Sequence, residues 1–228
     1  MVLWGSFVNF LAIATGAVLG VSVKLDENIR TTVMQGLGLA VLIIGINMGL
    51  AGENILIPIA SLVLGGIIGE SLQVEARLSS LGTKLGRLLR ADKGSSDFSQ
   101  GFLTASLVYC IGAMAVLGAL DSGLQGSHDV LYAKAMLDGV SAVFFASSLG
   151  IGVAFSAIPV FLYQGSIALL ANVLAPYLSP SVVAELTATG GLLIVGIGIN
   201  ILGLARIAIG NLLPGLITAV FLSLVFGG

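Results

Sequence analysis

The stretch that decides the fold is Met34 to Leu50, MQGLGLAVLIIGINMGL, because its core returns as Gly190 to Leu204, GGLLIVGIGINILGL. Superposing Ile44-Gly45-Ile46-Asn47 on Ile197-Gly198-Ile199-Asn200 also aligns Gly38-Leu39 with Gly191-Leu192. The flanks echo too, as NILIP from Asn54 to Pro58 and NLLP from Asn211 to Pro214. An apolar, glycine-rich segment carrying one amide is used twice.

The rest of the chain has the same character. Hydrophobic residues make up 57% of it and charged residues 9%, and mean hydropathy is +1.12, whereas a soluble domain carries roughly 25% charged residues. This is the composition of a polytopic, all-α membrane protein. The net charge of -2 says less than where the charges sit, which is in loops and at segment ends. Nothing points to nucleic acid as a partner. The lone Cys110 excludes an intramolecular disulfide and a cysteine-based metal cluster. The first residues, MVLWGSFVNF, lack a basic n-region and run on apolar to Val23, which reads as an uncleaved first span.

A span needs roughly 20 apolar residues. Eight candidates result: about Leu3 to Val23, Val33 to Ala51, Ile55 to Leu72, Gly101 to Leu120, Val130 to Val153, Ile158 to Leu178, Val182 to Leu204 and Ala208 to Phe226. The second and third form a tight hairpin, and the last is punctuated by Asn211 and Pro214. The one long polar segment, Gln73 to Gln100, holds Arg77, Lys84, Arg87, Arg90 and Lys93 and is therefore expected on the cytoplasmic side. Counting outward puts Lys24, Arg30 and Arg206 inside, Gly52 to Asn54 and Asp121 to Asp129 outside, and both termini outside; only Lys134 argues against this orientation. Within the loop, Val74, Leu78, Leu81, Leu85, Leu88 and Leu89 share one helical face opposite Arg77, Lys84, Arg87 and Arg90. That pattern predicts a helix on the inner membrane surface or one packed on the bundle's cytoplasmic end, followed by a flexible joint at Lys93-Gly94-Ser95-Ser96.

Repeats organise the spans. GAVLG (Gly16 to Gly20) resembles MAVLG (Met114 to Gly118), and the second and third spans are echoed weakly by the fifth and sixth. An odd number of spans per unit inverts the second copy, and the two IGIN spans, five apart, are likewise antiparallel. The expected division is 1–72 as one three-helix repeat, 73–100 as the amphipathic linker, 101–178 as the inverted repeat, and 179–228 as a hairpin echoing 33–72. Inverted repeats are the usual plan of secondary transporters, which hold substrate near the midplane.

Laid out this way, the chain resembles the bacterial integral membrane family catalogued as domain of unknown function 554. The likeness rests on MQGLGLAVLIIGI from Met34, GFLTASLVYCIGAMAVLGAL from Gly101, SLGIGVAFSAIPVFLYQGSI from Ser148, and the GGLLIVGIGIN and NLLPG segments. The resemblance implies a multi-pass protein of the bacterial inner membrane without an assigned substrate, and it carries over no functional residues.

The candidate site residues come from the polar groups at membrane depth. Asn47 and Asn200 occupy matching positions of inverted spans, where paired amides could replace water around an ion or hold a polar solute; interhelical hydrogen bonding is the plainer account of either. With Asp129 as N-cap, Asp138 lies about nine residues into the fifth span, roughly 13 Å along the axis. A carboxylate there is a functional hypothesis by default, with Lys134 one turn earlier as its partner; a static pair that lets the helix insert is the alternative. Gln35 and Gln164 could extend a polar path or cap a neighbouring carbonyl. Glu185, following Ser179-Pro180-Ser181, is accounted for by the helix dipole, and Glu70 by its place at the membrane edge. His128 is the single histidine, with no clustered ligands; no metal site and no cofactor are expected. The chain has no phosphate loop, no GxSxG elbow and no nucleophile with a base in one leaflet, so an enzyme is not expected either.

The expectation is a secondary transporter of a small ion or polar solute, with Asn47, Asn200, Asp138, Lys134, Gln35 and Gln164 as substrate-binding residues. The alternatives are a channel formed by a homo-oligomer and a non-transporting scaffold or sensor. Cysteines introduced at Glu53 and at Lys84 are expected to react with membrane-impermeant reagents from opposite sides; reaction from the same side would discard this orientation.

Overall fold

The computed structural model describes residues 1–23, 26–77, 80 and 95–226. Among them there is no strand. The helices in chain order are α1 (Trp4–Ser22), α2 (Glu27–Gly49), α3 (Leu56–Leu72), α4 (Ser95–Cys110), α5 (Ala113–Leu124), α6 (Asp129–Leu149), α7 (Gly152–Phe155), α8 (Ala157–Leu169), α9 (Ala171–Leu174), α10 (Pro180–Ile201), α11 (Ile209–Leu212) and α12 (Pro214–Phe226). The protein is a polytopic helical membrane protein. Among the described residues, six helical segments are long and apolar enough to cross a bilayer. The expected count of eight is not reached on that measure. Leu56–Leu72 stops at 17 residues, and the predicted fourth span is two helices whose axes meet at 60°.

That bend has a local cause. Gly112, between α4 and α5, has φ 135, a conformation that residues with a Cβ rarely adopt. Elsewhere the breaks follow the sequence. Pro214 starts α12 after the short α11, as the punctuation at Asn211 and Pro214 suggests. Ser179 caps α10 by accepting a hydrogen bond from Val182 N at 3.4 Å, with Pro180 at the first helical position. Two readings are corrected here. The fifth span ends at Leu149, not Val153, because the chain turns at Gly150 and starts α7. Ser95 and Ser96 open α4 and so do not act as a flexible joint. Of the predicted amphipathic helix, Val74 to Arg77 are helical; Leu78, Leu81, Lys84, Leu85, Arg87, Leu88, Leu89 and Arg90 lie outside the described residues, as does Lys93-Gly94.

The helices gather into two compact units that cut across the order of the chain. One comprises Met1–Val33 and Leu81–Ala175, the other Met34–Ser80 and Pro176–Gly228. This grouping differs from the consecutive division into 1–72, 73–100, 101–178 and 179–228, because α1 packs with helices that follow the polar loop.

In the first unit, α1 lies along α6, with further packing of α1 and α5 on α8 and of α4 on α7. The α1–α6 seam is built from backbone. Gly16 faces the carbonyl of Gly139 and Gly20 that of Val143, so closely that a Cβ on either glycine would strike the facing oxygen. Both contacts advance together along the two helices, so α1 and α6 run parallel. In the second unit, α3 packs antiparallel to α11 and α12, with Gly65 against Gly215 of α12 and Gly69 against Asn211 of α11. Helix α2 packs antiparallel to α10 through four pairs: Gly38 with Leu202, Gly45 with Val195, Gly49 with Gly191, and Leu42 with Gly198.

Close approach of this kind is what holds helices together where lipid is as apolar as any side chain. Gly16→Ala is therefore expected to cost about 1–3 kcal/mol by overpacking and to lower the Tm of the detergent-solubilised protein. Gly36→Ala, where an added carbon meets nothing within 4 Å, should leave Tm unchanged or raise it. Equal Tm values for the two variants would contradict the seam described here.

Candidate functional site

Helix α1 buries one face, formed by Gly5, Ser6, Asn9, Ile13, Gly16, Ala17 and Gly20. These fall at the three- and four-residue spacing of a single helical stripe. Six are small or apolar residues suited to a tight seam, and one, Asn9, carries an amide into it.

Helix α6 supplies the groups that Asn9 meets. His128 is its N-cap residue, and Asp129 lies in the first turn rather than at the cap position expected for it; a carboxylate there suits the helix dipole. One turn further, Lys134 and Asp138 stand four residues apart on the face turned toward α1. Lys134 Nζ is 2.9 Å from Asp138 Oδ2 and 3.0 Å from Oδ1. Asn9 Nδ2 donates to Asp138 Oδ2 at 3.0 Å and to Gln164 Oε1 of α8 at 3.3 Å.

The burial of this cluster is what sets it apart. Asn9 and Gln164 are 0% exposed, Asp138 6% and Lys134 7%. Around it, Ser141 Oγ donates to the carbonyl of Asp138 at 3.0 Å and to the hydroxyl of the buried Tyr109 at 3.3 Å. Two polar atoms of the cluster, Asn9 Oδ1 and Gln164 Nε2, are buried without a hydrogen-bond partner, as is Ser6 Oγ one turn earlier on α1. Buried polar atoms are paired in the great majority of cases, so these unpaired atoms make the cluster a candidate site.

The structure thus brings together Lys134, Asp138 and Gln164 of the predicted set and adds Asn9. The signal for Asn9 was in the sequence, since it is the amide on the face that carries Gly5, Gly16 and Gly20. Sequence reasoning passed over it because it belongs to no repeat.

Asn47 and Asn200 are not brought together. Antiparallel packing sets Gly45 level with Val195, which leaves the two amides about seven residues, or roughly 10 Å, apart along the helix axes. Asn47 is exposed in the last turn of α2. Asn200 closes its own loop, donating to Ile207 O and accepting from Ile207 N, both at 2.8 Å. The crossing expected to hold a site is occupied by glycines and by Leu42, Val195 and Leu202. Gln35 is exposed on α2, in the other unit from Asp138.

Two acids do more than expected. Glu185 lies beyond the first turn of α10 and is buried, 2% exposed; its Oε1 accepts from the backbone N–H of both Glu53 and Asn54 at 2.7 Å. It therefore clamps the α2–α3 loop, where a dipole argument gave it only a helix end. Glu70 accepts from Asn211 Nδ2 at 2.6 Å, while Asn211 Oδ1 accepts from Glu75 N at 2.8 Å. Among the described residues, no group of three or more His, Cys, Asp or Glu is placed to hold a metal ion.

Comparison with known proteins fits this architecture. Residues 4–224 match the family described as "Protein of unknown function (DUF554)". The chain is 31% identical over 221 residues to the "Uncharacterized membrane protein YdfK" of Bacillus subtilis (strain 168), covering 94% of this chain and 93% of that one. It is 33% identical over 224 residues to the "Uncharacterized protein YqgA" of Escherichia coli (strain K12), covering 96% and 95%. No solved structure matches.

The ion pair can be weighed by taking it apart. Removing one partner strands a buried charge at about 3–5 kcal/mol, whereas replacing both is often neutral. Lys134→Met should therefore lower Tm sharply, and Lys134→Met combined with Asp138→Leu should recover most of the loss. A double variant no more stable than the single one would mean the two charges do not compensate each other.

Proposed function

The chain belongs to the DUF554 family of membrane proteins of unknown function, and from that premise we propose that it is a transport protein for a small ion or polar solute. The observation that carries the reading is the buried cluster of Asn9, Lys134, Asp138 and Gln164, with its unmet donor and acceptor. Ionisable residues inside a bilayer are expensive and mark transport paths more often than they serve packing alone. Here the path runs through the unit of α1, α6 and α8, with Asp138 and Lys134 as the charge pair and Asn9 and Gln164 as ligands to the solute. Asn47, Asn200 and Gln35 belong to the other unit and are not part of the proposed site.

Secondary transport by alternating access is the finer form of the proposal. Its support is a symmetry in the contacts of the second unit. Superposing IGIN on IGIN turns the pair Gly38–Leu202 into Gly191–Gly49, and Gly45–Val195 into Gly198–Leu42. All four pairs are in contact. Any antiparallel pair exchanges contacts in this way, so the weight rests on the matching sequence of the two helices, GLGLAVLIIGIN and GLLIVGIGIN, packed against each other; an inverted repeat of that kind is the plan shared by many secondary transporters. Location in the bacterial inner membrane is the matching proposal, since proteins of bacterial outer membranes are β-barrels and this one is helical. The reading is non-enzymatic and calls for no cofactor.

Reconstituted into liposomes and offered a panel of ions and small polar solutes, the protein should move at least one of them. Asp138→Asn and Asn9→Ala should each cut that flux at least tenfold, while Asn47→Ala leaves it within a factor of two. Equal flux in all three variants would reduce the cluster to a packing device and overturn the proposed site.

A further inference from the structure

Asp138 sets the direction of the hydrogen bonds made by Asn9 and Gln164. An ionised carboxylate only accepts, so Asn9 must turn its nitrogen, not its oxygen, toward Oδ2. That same nitrogen is the donor facing Gln164, and only Oε1 of Gln164 can answer it. With both carboxamides fixed in this sense, one acceptor and one donor group remain over: Asn9 Oδ1 and Gln164 Nε2. Ser6 Oγ, buried and unpartnered on the same face of α1, adds a hydroxyl that can serve in either role.

The charges leave nothing over. Lys134 reaches both oxygens of Asp138, and Asn9 adds a further bond to Oδ2. The pair is neutral as a whole. A cation could bind Asp138 only by displacing Lys134 and stranding a buried ammonium, and an anion could bind Lys134 only by stranding a buried carboxylate. A neutral molecule with one donor and one acceptor strands neither and satisfies both orphans.

Resting on the transport reading above, we propose that the ligand of this site is a small uncharged molecule carrying a hydrogen-bond donor and an acceptor, of the amide, urea or polyol kind. It is held between Asn9 Oδ1 and Gln164 Nε2. Lys134 and Asp138 do not contact it; they are positioning residues that fix the orientation of the two carboxamides.

Wild-type proteoliposomes tested by stopped-flow light scattering with acetamide, urea and glycerol, and in parallel with dyes for Na⁺, K⁺, H⁺ and Cl⁻, separate the cases. Neutral solutes should enter at least tenfold faster than into protein-free vesicles and ions at the protein-free rate; Gln164→Leu should return solute entry to that rate as well. The comparison among solutes is made on the wild-type protein, so it decides the matter even if Gln164→Leu fails to fold. Ions crossing as fast as the neutral solutes, or faster, would overturn the ligand class and leave the transport reading standing. No solute or ion crossing above the protein-free rate would overturn both.

Discussion

The contact on which the candidate site depends is backbone against backbone. Where Gly16 and Gly20 of α1 lie on the carbonyls of Gly139 and Val143 of α6, no side chain separates the helices. The short side chain of Asn9 can then span to Asp138. Any residue larger than glycine in that seam would push α1 outward and lift the amide off the carboxylate. In a bilayer there is no hydrophobic drive to restore the contact, so the packing of small residues and the hydrogen bonds it permits hold one another in place. The charged pair on α6 is tolerated for the same reason, being covered on one side by α1 and bonded across to α8 through Asn9.

The two units spend their polar side chains differently. In the second, Glu185 ties down the α2–α3 turn, Asn200 closes the loop after α10, and Asn211 bridges Glu70 and the backbone of Glu75. Each of these groups satisfies backbone or side chain near a helix end, where loops enter the membrane edge. In the first unit the amides of Asn9 and Gln164 meet each other and a charge well inside the helices; they leave one acceptor and one donor unpaired there, as Glu185 Oε2 is left unpaired in the second. The same residue type is structural glue in one unit and a candidate ligand in the other.

That difference explains what could be read from the sequence. The apolar runs located the helices, since 3.6-residue geometry and bilayer thickness leave little choice of element. The pair of Lys134 and Asp138 was legible because its partners are four residues apart on one helix. Asn9 was not, because its partners lie 129 and 155 residues away, and nothing in the apolar neighbourhood of Phe7, Val8 and Phe10 announces them. The repeat of IGIN drew attention to Asn47 and Asn200. It marks a helix pair that packs through glycines, and matching positions on antiparallel helices meet only if they lie at the crossing. The fate of Glu185 was hidden likewise, since its partners are N–H groups of a loop on a distant hairpin.

The interleaving of the units has a consequence for how the protein is made. Helix α1 is synthesised first, yet Asp138, the charge that engages its amide, follows 129 residues later. At about 5–20 residues per second the ribosome needs roughly 6–26 s to reach it. For that interval Asn9 and the bare glycine face of α1 stand in the membrane without the helix that covers them, while α2 and α3 are threaded in behind. Assembly of the site is thus a late, long-range docking step, and the glycine stripe of α1 is its waiting half.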